Sequence, residues 1–343
     1  MTRILFARVA TRETPEIAAA ALALLALALA PPRLSAADPH VGLTGPVGPR
    51  GQVAADRRLK SLRIDRKGVY EDYLVDAQWA ESDAVRITAD GVVLRNCEIR
   101  NGLRDGVEVY AADVLIENCR IHHFLAGTFK DQKDAHGITG RPTRLTIRNC
   151  EISFVSGDSV QFDPGRGPWT DVTIENCHFF TANLPADAAG FKAGQRPGEN
   201  AVDTKQREKN PRSKMLIRNC VFNGFAAGGQ IGNASALNLK NHVDVTVENC
   251  VLYDNEIAVR ARGPGADKQG FGGALVTVRD SYFYTTDTVF RVEDAIERLK
   301  VDNPRFGDGV AKQVHILGGS PKGLDFAPPL PAPALESLLG KAP

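Results

Sequence analysis

Asp203 and Lys205 stand two residues apart in the stretch ENAVDTKQ, residues 199–206. On an extended strand that spacing sends both side chains to the same face. An acid beside an amine supports proton transfer, with the amine as base once it has lost its own proton. It also supports charge stabilisation through a cation that the carboxylates hold. The same pair can be a cross-strand ion pair worth about 0.2–1 kcal/mol and nothing more. Ionisable and polar residues recur at similar positions elsewhere: Asp158, Gln161 and Asp163 in GDSVQFDP, Arg260 and Arg262 in AVRAR, Arg141 in GITGR and Tyr110 in GVEVY. What these residues do depends on what aligns them.

The aligning device is an internal repeat. Six segments share one form: VVLRNCEI (92–99), VLIENCRI (114–121), LTIRNCEI (145–152), VTIENCHF (172–179), MLIRNCVF (215–222) and VTVENCVL (245–252). A seventh, VTVRDSYF (276–283), keeps the apolar pattern with Asp280 and Ser281 in place of Asn-Cys. Each copy alternates apolar and polar residues with β-branched enrichment, as a strand with one buried face does. Copies recur every 22 to 43 residues. The shorter spacing fits one turn of a wound sheet and leaves no room for a helix–strand unit with its loops. The chain is therefore read as all-β, a right-handed parallel β-helix forming a single-stranded solenoid of about seven to nine coils. The repeated asparagines are expected to stack at one bend through their amides, with the cysteines pointing inward as small hydrophobes. Rungs about 4.8 Å apart do not present the geometry a disulfide needs, so an unpaired cysteine ladder is expected.

The solenoid is assigned to residues 69–312. Residues 1–37 read as a signal peptide: Arg3, Arg8 and Arg12 precede the Ala/Leu run 17–30, and SAAD (35–38) offers small residues for cleavage. That run is shorter than the roughly 20 residues a membrane span requires, and no second candidate follows. The Gly/Pro-rich stretch in 38–68 reads as a linker and 313–343, with APPLPAPAL, as a tail. Lys plus Arg number 42 against 41 Asp plus Glu, so no global charge draws the chain to nucleic acid, and an anionic partner must meet a local cluster.

A second short strand precedes each shared motif, and aligning these gives two outward columns. One runs Arg86, Glu108, Thr139, Gln161, Asp203, Arg260, Arg291; the other Thr88, Tyr110, Arg141, Asp163, Lys205, Arg262, Glu293. The coil GGQIGNAS (228–235) has no register and interrupts both. Asp163 and Lys205 then fall on adjacent rungs. His136 in KDAHGITG reads as a turn or surface residue. Trp169 in QFDPGRGPW reads equally as a stacking ring for a sugar or as a lid on the core.

With these columns drawn, the chain resembles the pectate-lyase-like superfamily of parallel β-helix proteins over about residues 70–310, on the pattern [VLT]-x-[IV]-x-N-C-x-[IFL]. The resemblance implies an exported enzyme on an anionic polysaccharide, most directly a lyase that cleaves a uronic-acid-containing chain by β-elimination with Ca²⁺. Carried over by position, Asp158, Asp163 and Asp203 would hold the metal, Lys205 would be the base, and Arg260 and Arg262 would clamp the sugar carboxylate. Tyr110, Arg141, Gln161, Trp169 and Lys192 would contact substrate. A secreted or periplasmic monomer is expected. Gly165 follows Asp163-Pro164 where alginate epimerases of the superfamily have His, and the Asn-Thr-Asp and Asp-Asp motifs of polygalacturonases are absent. A hydrolase using Asp163 and Asp203, and a non-catalytic carbohydrate-binding or envelope scaffold, are the alternatives on the same fold.

Overall fold

The computed structural model describes residues 41–51, 57–264, 272–318 and 321–339. The expected signal peptide, 1–37, lies outside the described residues. The rest is the expected parallel solenoid. A ten-stranded parallel sheet stacks the strands that open each shared motif, from Gly68–Glu71 to Leu324–Phe326. A nineteen-stranded sheet holds two further columns of parallel strands. These columns merge where Val251–Arg262 and Tyr282–Glu293 run straight through both as 12-residue strands.

Each asparagine of the shared motif has a positive φ: 55° at Asn96, 51° at Asn118, 55° at Asn149, 50° at Asn176 and 54° at Asn219 and Asn249. That left-handed bend turns the chain from one sheet into the next, and Asn is among the few residues with a side chain that adopt it readily. The amides then bond along the stack: Asn149 Nδ2 donates to Asn118 Oδ1 at 3.1 Å, and Asn176 Nδ2 to Asn149 Oδ1 at 2.7 Å. Asn149→Ala forces alanine into the left-handed region and breaks both bonds. The expected cost is about 1–3 kcal/mol in urea unfolding, and a smaller cost for Asn149→Gly would separate backbone strain from lost bonding.

The next residue inward is cysteine, and all six are buried and unpaired. The residue before each asparagine is the outward member of the ten-stranded sheet. Its column alternates in sign without a break: Glu71, Arg95, Glu117, Arg148, Glu175, Arg218, Glu248, Arg279, Asp302. A slip of one rung would set like charges against each other, so this column disfavours misregistered stacking.

The solenoid extends beyond both expected boundaries. Arg58–Leu59 pairs with Leu74–Val75 and Leu62–Ile64 with Val85–Ile87. At the other end Val310–Leu317, Leu324–Phe326 and Leu330–Pro331 add strands inside the expected tail. These outer rungs lack the Asn-Cys signature, which is why the repeat count falls short of ten. Residues 41–51 are a strap rather than a loose linker. Gly42 N donates to Asn249 O, Thr44 N to Asn176 Oδ1, Gly48 N to Asn149 O and Arg50 N to Asn96 Oδ1, so the segment runs back along the asparagine ladder.

Candidate functional site

The second column of the nineteen-stranded sheet presents three lines of polar residues, repeated from rung to rung. Closest to the preceding turn lies Asp83, Asp105, His136, Asp158, Asn200, Ser235, each two residues before the first inward apolar residue of its strand. All six are buried. From Asp105 onward each side chain receives the backbone N–H of the next rung. Asp105 Oδ1 accepts from His136 N at 2.9 Å, His136 Nδ1 from Asp158 N at 3.0 Å, Asp158 Oδ1 from Asn200 N at 3.1 Å, and Asn200 Oδ1 from Ser235 N at 3.0 Å. The line spans sequence gaps of 31, 22, 42 and 35 residues and holds the turns in register despite their insertions. Because His136 Nδ1 accepts, the neutral ring carries its proton on Nε2. The His136 ring is thus an acceptor in a buried ladder, not a surface residue, and a Cβ at Gly157 would lie 2.6 Å from that Nδ1.

The second line is Arg86, Glu108, Thr139, Gln161, Asp203, Asn238, Arg260, Arg291. The open register closes on the strand Ser235–Lys240, which supplies Asn238 here and Lys240 to the third line, between Lys205 and Arg262. This strand decides the partners. Lys240 Nζ sits 2.6 Å from Asp203 Oδ2, and Lys205 Nζ 2.6 Å from Asp163 Oδ2. Asp203 and Lys205 therefore do not pair with each other.

Several expected exposures are corrected. Asp203 points away from the core yet is only 2% exposed, between Gln161 and Asn238 on the neighbouring rungs and the Lys240 ammonium. Arg260 lies 2.9 Å from Glu293 through both Nε and Nη2, and Arg262 and Arg291 approach the same carboxylate at 2.8 and 2.6 Å. That carboxylate already occupies the proposed clamp. Trp169 is buried against Phe162 and donates its indole N–H to Lys205 O at 3.1 Å, so it lids the core and offers no open face to a sugar. Lys192 pairs with Asp187 of its own insert at 2.8 Å, and both side chains are exposed. Tyr110 lies between the guanidiniums of Arg86 and Arg141, 4.9 and 5.6 Å from its ring centre. Gln161 donates to Asp158 Oδ2 at 2.9 Å and lines an open cleft of about 290 Å³ with Arg104, Asp105, Lys133, Asp134, His136 and Arg166.

The acids of this sheet face divide into two groups. Glu199 is pushed up to about 8, chiefly by burial and then by the Asp158 and Asp203 carboxylates. Asp203 is pushed up to about 6, again chiefly by burial, with Lys240 pulling the other way and Asp158 adding to the rise. One rung group therefore combines a carboxylic acid that keeps its proton at neutral pH with a carboxylate held against an ammonium. Glu199 escaped the sequence reading because nothing in ENAVDTKQ shows that Asp158, 41 residues earlier, faces it.

The second group is Asp83, Asp105 and Glu108. Among the described residues these are the three acidic, histidine or cysteine side chains whose ligand atoms converge, all within 4.8 Å of one another. Burial, then Glu108 and Asp105, push Asp83 up to about 6. Asp83 Oδ1 and Glu108 Oε2 are buried without a hydrogen bond, as is Thr139 Oγ1 on the rung next to Glu108. A shared proton or a hard cation would satisfy such oxygens. The calcium ligands expected from sequence each have protein partners. Asp158 accepts from Asn200 and Gln161, Asp163 holds Lys205, and Asp203 holds Lys240. Asp203 Oδ1 is buried and unmatched as well, so what sets the trio apart is that its three carboxylates converge on one point. The column pattern that would have revealed it is the polar residue two positions before each strand, in SDAV, RDGV, AHGI and GDSV.

A family model described as "Right handed beta helix region" matches residues 83–324. No curated protein matches the chain by sequence. Among solved structures, the pectate lyase Pel9A is 14% identical, with 86% of this chain and 74% of that one covered and a TM-score of 0.50. An alginate lyase from Paenibacillus sp. str. FPU-7 is 15% identical, with 73% and 76% covered and a TM-score of 0.40. PfbA, a surface adhesin of Streptococcus pneumoniae, is 12% identical, with 72% and 62% covered and a TM-score of 0.41. At these identities the likeness is one of fold.

Proposed function

The chain belongs to the right-handed beta-helix family, and from that premise we propose that it is an exported polysaccharide-processing enzyme, a lyase that cleaves a uronic-acid-containing chain by β-elimination. The observation behind this reading is the arrangement around Glu199. A protonated acid stands beside the Asp203–Lys240 pair, at the end of the face where basic residues collect. Along this face Lys205, Lys240, Arg260, Arg262 and Arg291 meet the carboxylates of Asp163, Asp203, Glu293 and Asp294, five cations against four anions, a small positive excess suited to an anionic chain.

Elimination needs a base for the C5 proton, charge to hold the enolate-like state, and an acid for the departing oxygen. Glu199 supplies the acid. Lys205, whose ammonium lies 2.6 Å from Asp163 Oδ2, is the base of this reading. Asp83, Asp105, Glu108 and Thr139 are the residues that would hold a calcium ion, which when bound supplies positive charge for a substrate carboxylate.

The test is incubation with galacturonate-, glucuronate- and mannuronate-based polymers while following ultraviolet absorbance of a new C4=C5 double bond. The expected result is absorbance that falls at least about 100-fold in Lys205→Ala and whose rate declines above about pH 8, where Glu199 ionises. A hydrolytic second reading is favoured by one feature, the acid Glu199 beside the carboxylate Asp203. It predicts new reducing ends without absorbance, and a rate that falls above about pH 8 as Glu199 ionises. Binding of a polymer with neither product would sink both readings and leave a carbohydrate-binding scaffold.

A further inference from the structure

The trio Asp83, Asp105 and Glu108 is already bound by a cation of the protein's own. Arg166 donates through Nη2 to Asp105 Oδ2 at 2.8 Å and through Nη1 to Glu108 Oε1 and to Tyr110 Oη, the latter at 3.3 Å. The other two guanidiniums nearby are looser and more exposed. Arg86 lies 3.4 Å from Glu108 Oε2 and Arg104 3.5 Å from Asp83 Oδ1, without hydrogen-bond geometry. Arg166 therefore makes the tight contacts, yet it leaves one oxygen of Asp83, one of Glu108 and the hydroxyl of fully buried Thr139 unmatched. Thr139 is outside the acidic trio and takes the place next to Glu108 in the same outward line. Its unpartnered hydroxyl is an independent sign that the pocket has more oxygen donors than its guanidinium satisfies.

We propose that Asp83, Asp105, Glu108 and Thr139 form a divalent-cation site of the hard-oxygen class, and that Arg166 is an internal competitor which must swing out before the cation enters. The reasons are those of charge and coordination. A planar guanidinium matches two carboxylate oxygens at a time, whereas Ca²⁺ takes six to eight oxygens and can use the unmatched ones as well. The residue is also placed to move. Arg166 sits on a surface turn, with its N–H bonded to Asp163 O and the N–H of Gly167 to Pro164 O, and Gly167 has a φ of 120°. Asp163 at the start of that turn is the partner of Lys205, so release of Arg166 would reach the amine through the same turn. The inference concerns cation binding alone and stands whatever the chain does to a polysaccharide.

Calcium chloride alone is titrated calorimetrically into the full chain, into Arg166→Ala and Arg166→Gln, and into each of these combined with Asp105→Asn. Removal of the guanidinium is expected to tighten Ca²⁺ binding by about tenfold or more, and Asp105→Asn to abolish that gain. A parallel readout is the thermal midpoint, which Ca²⁺ should raise further in the Arg166 variants than in the unsubstituted protein. Glutamine serves where alanine does not fold, since it keeps a donor for Tyr110. Equal Ca²⁺ affinity with and without Arg166 overturns the proposal, and so does a gain that survives Asp105→Asn, because the ion would then be bound elsewhere.

Discussion

Glu199→Gln is expected to make the protein more stable at alkaline pH and to slow the polysaccharide cleavage proposed for it. The folded-state value near 8 lies above the ordinary glutamate value of about 4.3. A raised carboxylate contributes stability that is fully present below the unfolded value and is lost as pH rises through the folded one. The unsubstituted protein should therefore weaken progressively between about pH 5 and pH 9, with Asp203, raised to about 6, adding a loss of the same sign in the lower part of that window. Glutamine keeps the shape and removes the ionisation, and with it the repulsion from Asp158 and Asp203. The benefit at pH 9 should be on the order of 3 kcal/mol. Urea unfolding of both proteins at several pH values measures it, and parallel stability–pH curves would refute the buried-acid assignment. On a polymer that the protein cleaves, loss of the proton donor should lower kcat by about 10²–10⁴. Unchanged kcat would move the acid's role to another residue.

The second large effect is expected at the Asp203–Lys240 pair. Asp203 is 2% exposed, the Lys240 side chain 14%, and their charges stand 2.6 Å apart. Removing one partner strands the other in a site with little water. Asp203→Ala should cost about 3–5 kcal/mol, and Lys240→Met a comparable amount, because Asp203 would then face Asp158 and Glu199 without its counterion. The double variant Asp203→Leu/Lys240→Met should be less destabilised than either single one, since hydrophobic replacements of similar volume leave no bare charge. A double-mutant cycle in urea unfolding checks this, and additive losses would mean that the two residues are not coupled. The Lys205–Asp163 pair provides a contrast. Both side chains are about a quarter exposed, so Asp163→Ala should cost no more than about 1 kcal/mol.

The fold was legible because its signals are local. Apolar alternation marked each rung, and the asparagines marked the bend whose left-handed backbone they tolerate. The outward columns were also readable, since period-2 geometry fixes which face a side chain takes. The break came at Ser235–Lys240, a strand without the Asn-Cys motif that follows a Gly-rich stretch. Missing it hid Lys240 and gave Asp203 the wrong partner. The strap at 41–51 was hidden for a different reason. Its bonds are made by backbone groups, so the Gly/Pro composition that suggests a linker suits it equally well.

By itself, then, the sequence determined the solenoid, the inward cysteine column and the alignment of Gln161, Asp203, Arg260 and Arg291, because strand sterics act within a few residues. Apart from Asp163 and Lys205, which the columns had set on adjacent rungs, only the tertiary structure decided which acid meets which cation. Partners are separated by stretches of different length, 37 residues between Asp203 and Lys240 on adjacent rungs and 58 between Glu108 and Arg166 in a turn two rungs on, and no local rule counts across them. Burial was decided the same way. Glu199 retains its proton and Asp203 is shut from water because residues remote in the chain are stacked against them at rung spacing, where charge and desolvation act most strongly.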